Sequence, residues 1–153
     1  MSEVASAMVQ VAHTSVSFTE VAKSRCTVVA SATIHWPCLF PQHGPGRKHE
    51  RPIRLADWQR AEVARNPRGL IRGLIQSDGY RGTNVVHRPL PSGTRTYGYS
   101  RYLFVNESAD IREIFTDALD LLGIAWKQNR RNSISVARRE AVAALDEFVG
   151  PKH

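Results

Sequence analysis

Residues 67–79 read PRGLIRGLIQSDG, and the reading of this stretch decides the fold. Asn66 offers a side-chain acceptor at a helix N-cap, and Pro67 is suited to the first turn, where its missing N–H costs nothing. Leu70, Ile71, Leu74 and Ile75 then form one apolar stripe at helical spacing. Gly69, Gly73 and Ser77 recur every four residues as a ridge without bulky side chains. Each interior glycine costs about 0.5–1 kcal/mol against alanine. The pair therefore implies close approach of another backbone, by the steric logic of small-residue packing between helices. Gly79 is the expected C-cap. Asp78, just before it, reads either as a metal ligand or as a solvated helix-end carboxylate.

Downstream the pattern is regular. Strands are expected over residues 80–88 and 95–106, joined by a turn containing Pro91 and Gly93. In YGYSRYLFVN (97–106) the alternation puts Tyr97, Tyr99 and Arg101 on one face and Tyr102 and Phe104 on the other. Ser108 caps a helix over 109–122 whose Ile111, Ile114, Phe115, Ala118, Leu121 and Leu122 face a core, with Gly123 ending it. Residues 124–130 and 133–137 form a second hairpin, and a last helix runs over 140–149. The order α-β-β-α-β-β-α predicts an α+β fold with a four-stranded antiparallel sheet and helices on one face. The other face is left open and collects arginines and tyrosines.

Upstream the signals are weaker. Residues 1–24 show no clear period and are expected to be weakly ordered. A strand is expected over 26–33 and a short helix over 55–65. Between them HWPCLFPQHGPGRKHERPI (35–53) carries four prolines and two glycines, so irregular backbone is expected. His35, Cys38, His43 and His49 have zinc-ligand chemistry, but ordinary zinc patterns use tighter pairs. The preferred reading has Trp36, Leu39 and Phe40 plugging an edge of the core, with Cys38 buried as a small hydrophobe.

The chain of 153 residues has room for one compact domain, or for two small units, and its formal charge of +7 is unevenly placed. Residues 1–46 hold two Lys/Arg against two Asp/Glu, whereas 47–153 hold 19 against 12. Such an excess points to a polyanionic partner. Two cysteines favour a reducing compartment, and no apolar run is long enough for a membrane span, so a cytoplasmic protein without membrane contact is expected.

IRGLIQSDG (71–79) resembles the signature of LAGLIDADG homing endonucleases. WPCLFPQHGPGRKHERPI (36–53), YSRYLFVNESADIREIF (99–115) and SISVARREAVAALDEFVG (133–150) resemble actinobacterial proteins of that type. The resemblance covers roughly residues 25–150. It implies a weakly ordered segment 1–24, a remnant of a preceding repeat with a basic linker over 25–66, and one complete repeat over 67–150. It also implies double-stranded DNA as partner and a homodimer through Gly69, Leu70, Gly73, Leu74 and Ser77. Asp78, with Gly79, is the implied Mg²⁺ site for phosphodiester hydrolysis. The sequence departs from the family at Gln76, where many relatives carry an acid, and at Ser77. The family's lysine near the DNA-facing strand ends has no evident match. Arg138 and Arg139 stand there, and an arginine is too basic to act as a general base. A first signature helix is missing, so a double-motif ancestor shortened at its N-terminus is expected.

Arg81, Arg88, Arg95, Tyr97, Tyr99, Arg101, Lys127, Arg130 and Arg131 stand on strands and turns suited to reading base edges in the major groove. Arg47, Lys48 and Arg51 in the linker, with Arg138 and Arg139, are suited to phosphates. Three functions remain open at this point. They are a site-specific endonuclease, a non-cleaving DNA-binding or regulatory protein, and a structural module that pairs with a separate chain.

Overall fold

A computed structural model describes residues 3–23, 26–91 and 93–151, except for the side chains of Glu3 and Lys48. The chain forms two compact units, one extending to Gly44 and the other beginning at Pro45.

The first unit contains helix α1 (Glu3–Ala12), strands β1 (Ser17–Glu20) and β2 (Thr27–Ala30), and one helical turn, α2 (Trp36–Leu39). The strands pair antiparallel with Phe18 opposite Val29, and the Ser17 hydroxyl donates to the Ala30 carbonyl at 3.2 Å. Two expectations are corrected here. Residues 3–12 and 17–20 are regular elements, because α1 has an apolar face (Val4, Ala5, Met8) and β1 gains a partner strand. Cys38 is exposed, as is Phe40, because α2 buries none of its residues. Trp36 is held instead by its indole N–H, which donates to the Ser31 carbonyl at 3.1 Å.

The second unit begins with a 3₁₀ turn (Lys48–Glu50) and α3 (Asp57–Arg65). It continues with α4 (Pro67–Asp78), β3 (Gly79–Leu90), β4 (Gly93–Val105), α5 (Ala109–Leu121), β5 (Lys127–Arg130), β6 (Ser133–Val136) and α6 (Arg139–Asp146). The sheet is antiparallel throughout, in the order β3-β4-β6-β5. The fold is therefore α+β with a four-stranded antiparallel sheet.

Local chemistry accounts for the helix ends. The Asn66 side chain accepts from Gly69 N at 3.0 Å. A Cβ on Gly69 would sit 2.6 Å from the Asn66 amide, so part of the glycine requirement is the cap itself. Gly79 differs from a left-handed C-cap. Its φ of −111° is extended backbone, and its small size matters because a Cβ would lie 2.9 Å from Ile75 Cα. Gly123 does end α5 in the left-handed region, with φ +65°.

Ile71, Ile75, Phe104, Phe115, Leu119, Ile134, Leu145 and Val149 are the centre of the core, and the Phe104 and Phe115 rings lie 4.4 Å apart. Leu121 is 60 % exposed rather than core-facing, and Leu119 takes the buried place. One residue's shift on a helix turns a side chain by about 100°. Leu119 shares its face with Phe115 and Leu122, whereas Leu121 points away from them.

Candidate functional site: the outward sheet face and the end of α4

Pairing register sorts the side chains of the two hairpins. Directly opposed residues in an antiparallel sheet share a face. Arg101 opposes Gly82, Tyr99 opposes Asn84, Tyr97 opposes Val86 and Arg95 opposes Arg88. All of these stand on the face away from Tyr102 and Phe104, which belong to the core. On the other side of the sheet Lys127 opposes Ser135 and Arg130 opposes Ser133. Ser135 opposes Leu103, so Lys127 and Arg130 join the same outward face. That face is not open along its whole length. Leu103, Ser133 and Ser135 are buried, and exposure is concentrated on β5 and on the part of the β3–β4 ribbon beyond the β6 pairing.

The charge pattern is one-sided. Residues 79–105 and 123–139 carry nine Lys/Arg and no Asp or Glu. Arg88, Arg101, Lys127, Arg130, Arg138 and Arg139 have no acidic partner among the described residues. Arg95 lies over the Tyr97 ring, 5.0 Å from its centroid.

Other predicted basic residues are placed differently. Arg81 opposes Tyr102 and so lies on the helix side. Its Nε and Nη2 donate to the Asp146 carboxylate at 2.7 and 2.9 Å, and the Tyr102 hydroxyl donates to the same carboxylate at 2.6 Å. The Arg81 hydrogen bond, with that of Tyr102, holds Asp146 below the usual carboxylate range against the opposing effect of desolvation. Burial is the main reason that the Tyr102 hydroxyl is pushed well above its ordinary pKa. Arg81 thus fastens β3 to α6. Arg131 pairs with Glu107 at 2.8 Å, and Arg47 lies 3.8 Å from Glu50. The Arg51 guanidinium donates to the Pro45 carbonyl at 3.4 Å. The Lys48 side chain lies outside the described residues.

At the end of α4 the Asp78 carboxylate is exposed and accepts from the Asn106 amide at 2.8 Å. Asn106 is itself buried, and its Oδ1 accepts from Ser108 N at 2.9 Å at the start of α5. Its backbone N donates to the Asn132 carbonyl at 2.9 Å. Arg112 donates to its carbonyl at 2.6 Å. Nearby, the hydrogen bond from Asn132 and the charge of Arg131 hold the Glu107 carboxyl below its ordinary range. Gln76 donates its amide to the Val149 and Pro151 carbonyls at 3.0 and 3.1 Å.

Asn106 and the Gln76 contact were not marked by the sequence reading. An Asn two residues before a helix-capping Ser is the turn-type signal that points to Asn106. No local pattern announces Gln76, because its acceptors are more than seventy residues away.

On the outer side of α4, Gly69, Gly73 and Ser77 are exposed, and a Cβ on Gly73 would meet nothing within 4 Å. Leu70 and Leu74 are half-buried against the core. Magnesium takes a near-octahedral shell of about six oxygens. Among the described residues no three His, Cys, Asp or Glu side chains come together to hold a metal ion. Asp78 and the Gly79 carbonyl of one chain would supply two oxygens, and the rest of a magnesium shell would be water or donors from another molecule. His35, Cys38 and His43 likewise form no such group, and His49 belongs to the second unit.

No protein-family model matches the chain, and no curated protein matches it. No helix among the described residues is long and apolar enough to cross a membrane.

Proposed function

We propose that the chain is a double-stranded DNA-binding protein of LAGLIDADG type that docks through the outward face of its sheet and pairs as a homodimer along α4. One observation carries the reading. The two hairpins hold seven cations and no acid, and their register gathers Arg88, Arg95, Arg101, Lys127 and Arg130 on one face with Tyr97 and Tyr99. A duplex presents phosphate charge at close spacing, and its major groove accepts a two-stranded ribbon. The exposed ridge of Gly69, Gly73 and Ser77 supports the pairing, since Gly73 has no packing reason within the single chain.

The test is duplex binding over a salt series. Affinity should fall steeply as salt rises, and Arg88→Ala should lower the slope by about one. Affinity independent of salt would remove the reading.

In this reading Mg²⁺-dependent cleavage belongs to the dimer, in which each chain brings its Asp78 carboxylate to the end of α4. The second reading, a non-cleaving DNA-binding or regulatory protein, is favoured by the Asp78–Asn106 hydrogen bond, which occupies one carboxylate oxygen within the fold. Incubation of the protein with supercoiled DNA and Mg²⁺ separates the two: nicked or linear product supports the nuclease.

A further inference from the structure

On its outward face, β6 presents only small side chains, Ser133 and Ser135, followed by Ala137. Its neighbours β4 and β5 present large ones. The result is a groove of about 500 Å³, floored by Ser135 and walled by Tyr99, Arg101, Trp126, Lys127 and Arg138. No acidic residue lines it. Arg101, Lys127 and Arg138 have no acidic partner among the described residues, so three uncompensated cations converge on one concavity.

Two aromatic rings complete it, and each is fixed at its polar end. The Tyr99 hydroxyl accepts from the Asn84 amide at 2.9 Å, and the Trp126 indole N–H donates to Asp120 Oδ1 at 2.8 Å. Both rings nevertheless remain about two-fifths exposed, at 42 % and 37 %. Anchored rings lose little freedom when something stacks on them, and the volume lies within the range of small-ligand sites.

Fixed aromatic faces beside unpaired cations match one chemistry, a heterocyclic base carrying a phosphate. A paired duplex offers phosphates to such a groove but keeps its bases stacked away from the rings. We infer that this groove takes a single unpaired nucleotide of a DNA strand, its base against both Tyr99 and Trp126 and its phosphate on Arg101, Lys127 and Arg138. This inference rests on the DNA-binding reading and adds to it a preference for a nucleotide displaced from the helix.

The experiment compares three DNAs of one sequence: a perfect duplex, a duplex with one extrahelical thymidine, and the same bulge with an abasic nucleotide. The wild-type chain should bind the thymidine bulge at least about tenfold more tightly than the other two. Trp126→Leu should keep perfect-duplex affinity and lose the preference. Tyr99→Leu, on the exposed ribbon, is the second variant should Trp126→Leu fail to fold, and it should also lose the preference. Equal affinity for all three DNAs overturns the nucleotide groove and leaves duplex binding standing. Equal gains for the thymidine and abasic bulges also overturn it, because they show a response to bending without base contact. Binding to a short thymidine oligonucleotide without any binding to duplex retains the groove and overturns the duplex-binding function. Absence of binding to every DNA overturns both.

Discussion

The buried amide of Asn106 is locked in one orientation, with its oxygen on the Ser108 N–H and its nitrogen donating to the Asp78 carboxylate at 2.8 Å. The orientation follows from the backbone donor, since only the amide oxygen can accept from it. Asn106→Asp keeps that acceptor and sets a second carboxylate against Asp78. The expected cost is about 1–3 kcal/mol at neutral pH, from a lost charge-assisted hydrogen bond and like-charge repulsion. Asp78→Asn in the same background returns a donor to the pair and should recover much of the loss. Thermal unfolding of wild type, both single variants and the double variant measures this. Additive losses would show that the two residues do not interact.

Gln76→Glu should destabilise more than Gln76→Ala. The carboxylate replaces a donor shared by two carbonyls and faces both with negative charge. About 1–3 kcal/mol is expected for the charged variant. Denaturant midpoints at pH 7 compare them, and an equal effect of the two substitutions would contradict the geometry.

Gly73 separates stability from association. With open space around its missing Cβ, Gly73→Ala should stabilise a single copy by up to about 1 kcal/mol through helix propensity. Gly73→Leu should abolish the dimer, read by light scattering. Gly79→Ala should instead destabilise by about 1–3 kcal/mol, because the added carbon meets Ile75 backbone at 2.9 Å.

The Arg81–Asp146–Tyr102 cluster should contribute to both limbs of the pH profile. The Asp146 pKa is depressed on folding, chiefly by the Arg81 hydrogen bond, so its stabilisation is present above the ordinary carboxyl value of 3.8 and is lost as pH falls below it. The Tyr102 pKa is raised on folding, chiefly by burial, so its contribution is complete below the ordinary value of 10.0 and is lost as pH rises above it. Asp146→Asn should flatten the acid limb of stability against pH, and Tyr102→Phe the alkaline limb. Unchanged limbs in both variants would remove the cluster from this role.

Arg81→Met and Arg101→Ala divide stability from binding. Arg81 is spent on Asp146, so its loss should lower the melting temperature and leave the salt slope of DNA binding unchanged. Arg101→Ala should reduce that slope by about one with little effect on melting. The opposite outcome would exchange the roles of the two sheet faces.

What the sequence makes legible follows local rules. The Asn66 and Ser108 caps, the Gly123 stop and the two hairpins are decided within a few residues of chain, and each stands where its chemistry puts it. Alternation in YGYSRYLFVN likewise places Tyr97, Tyr99 and Arg101 opposite Tyr102 and Phe104. Arg81 shows where that kind of reading stops, because its face depends on the register with Tyr102, and its partner Asp146 is 65 residues away. In the N-terminal unit, α1 and β1 escape because short segments of small and β-branched residues have no dominant period until a neighbour completes them. The cations of the outward face and the exposed Asp78 are legible as residues; the Asn106 lock depends on three segments meeting.

β6 pairs only with residues 102–105 of β4, yet β3 and β4 continue together to Leu90 and Gly93. Among the described residues the ribbon beyond that pairing meets no further strand of its sheet, and its side chains contribute little to the core. Two-stranded ribbons also twist more strongly than wide sheets. Mechanically it is a compliant finger on a stiff base. In evolutionary terms, substitutions along it carry a small stability penalty, so its outward surface is free to diversify while the base stays constant.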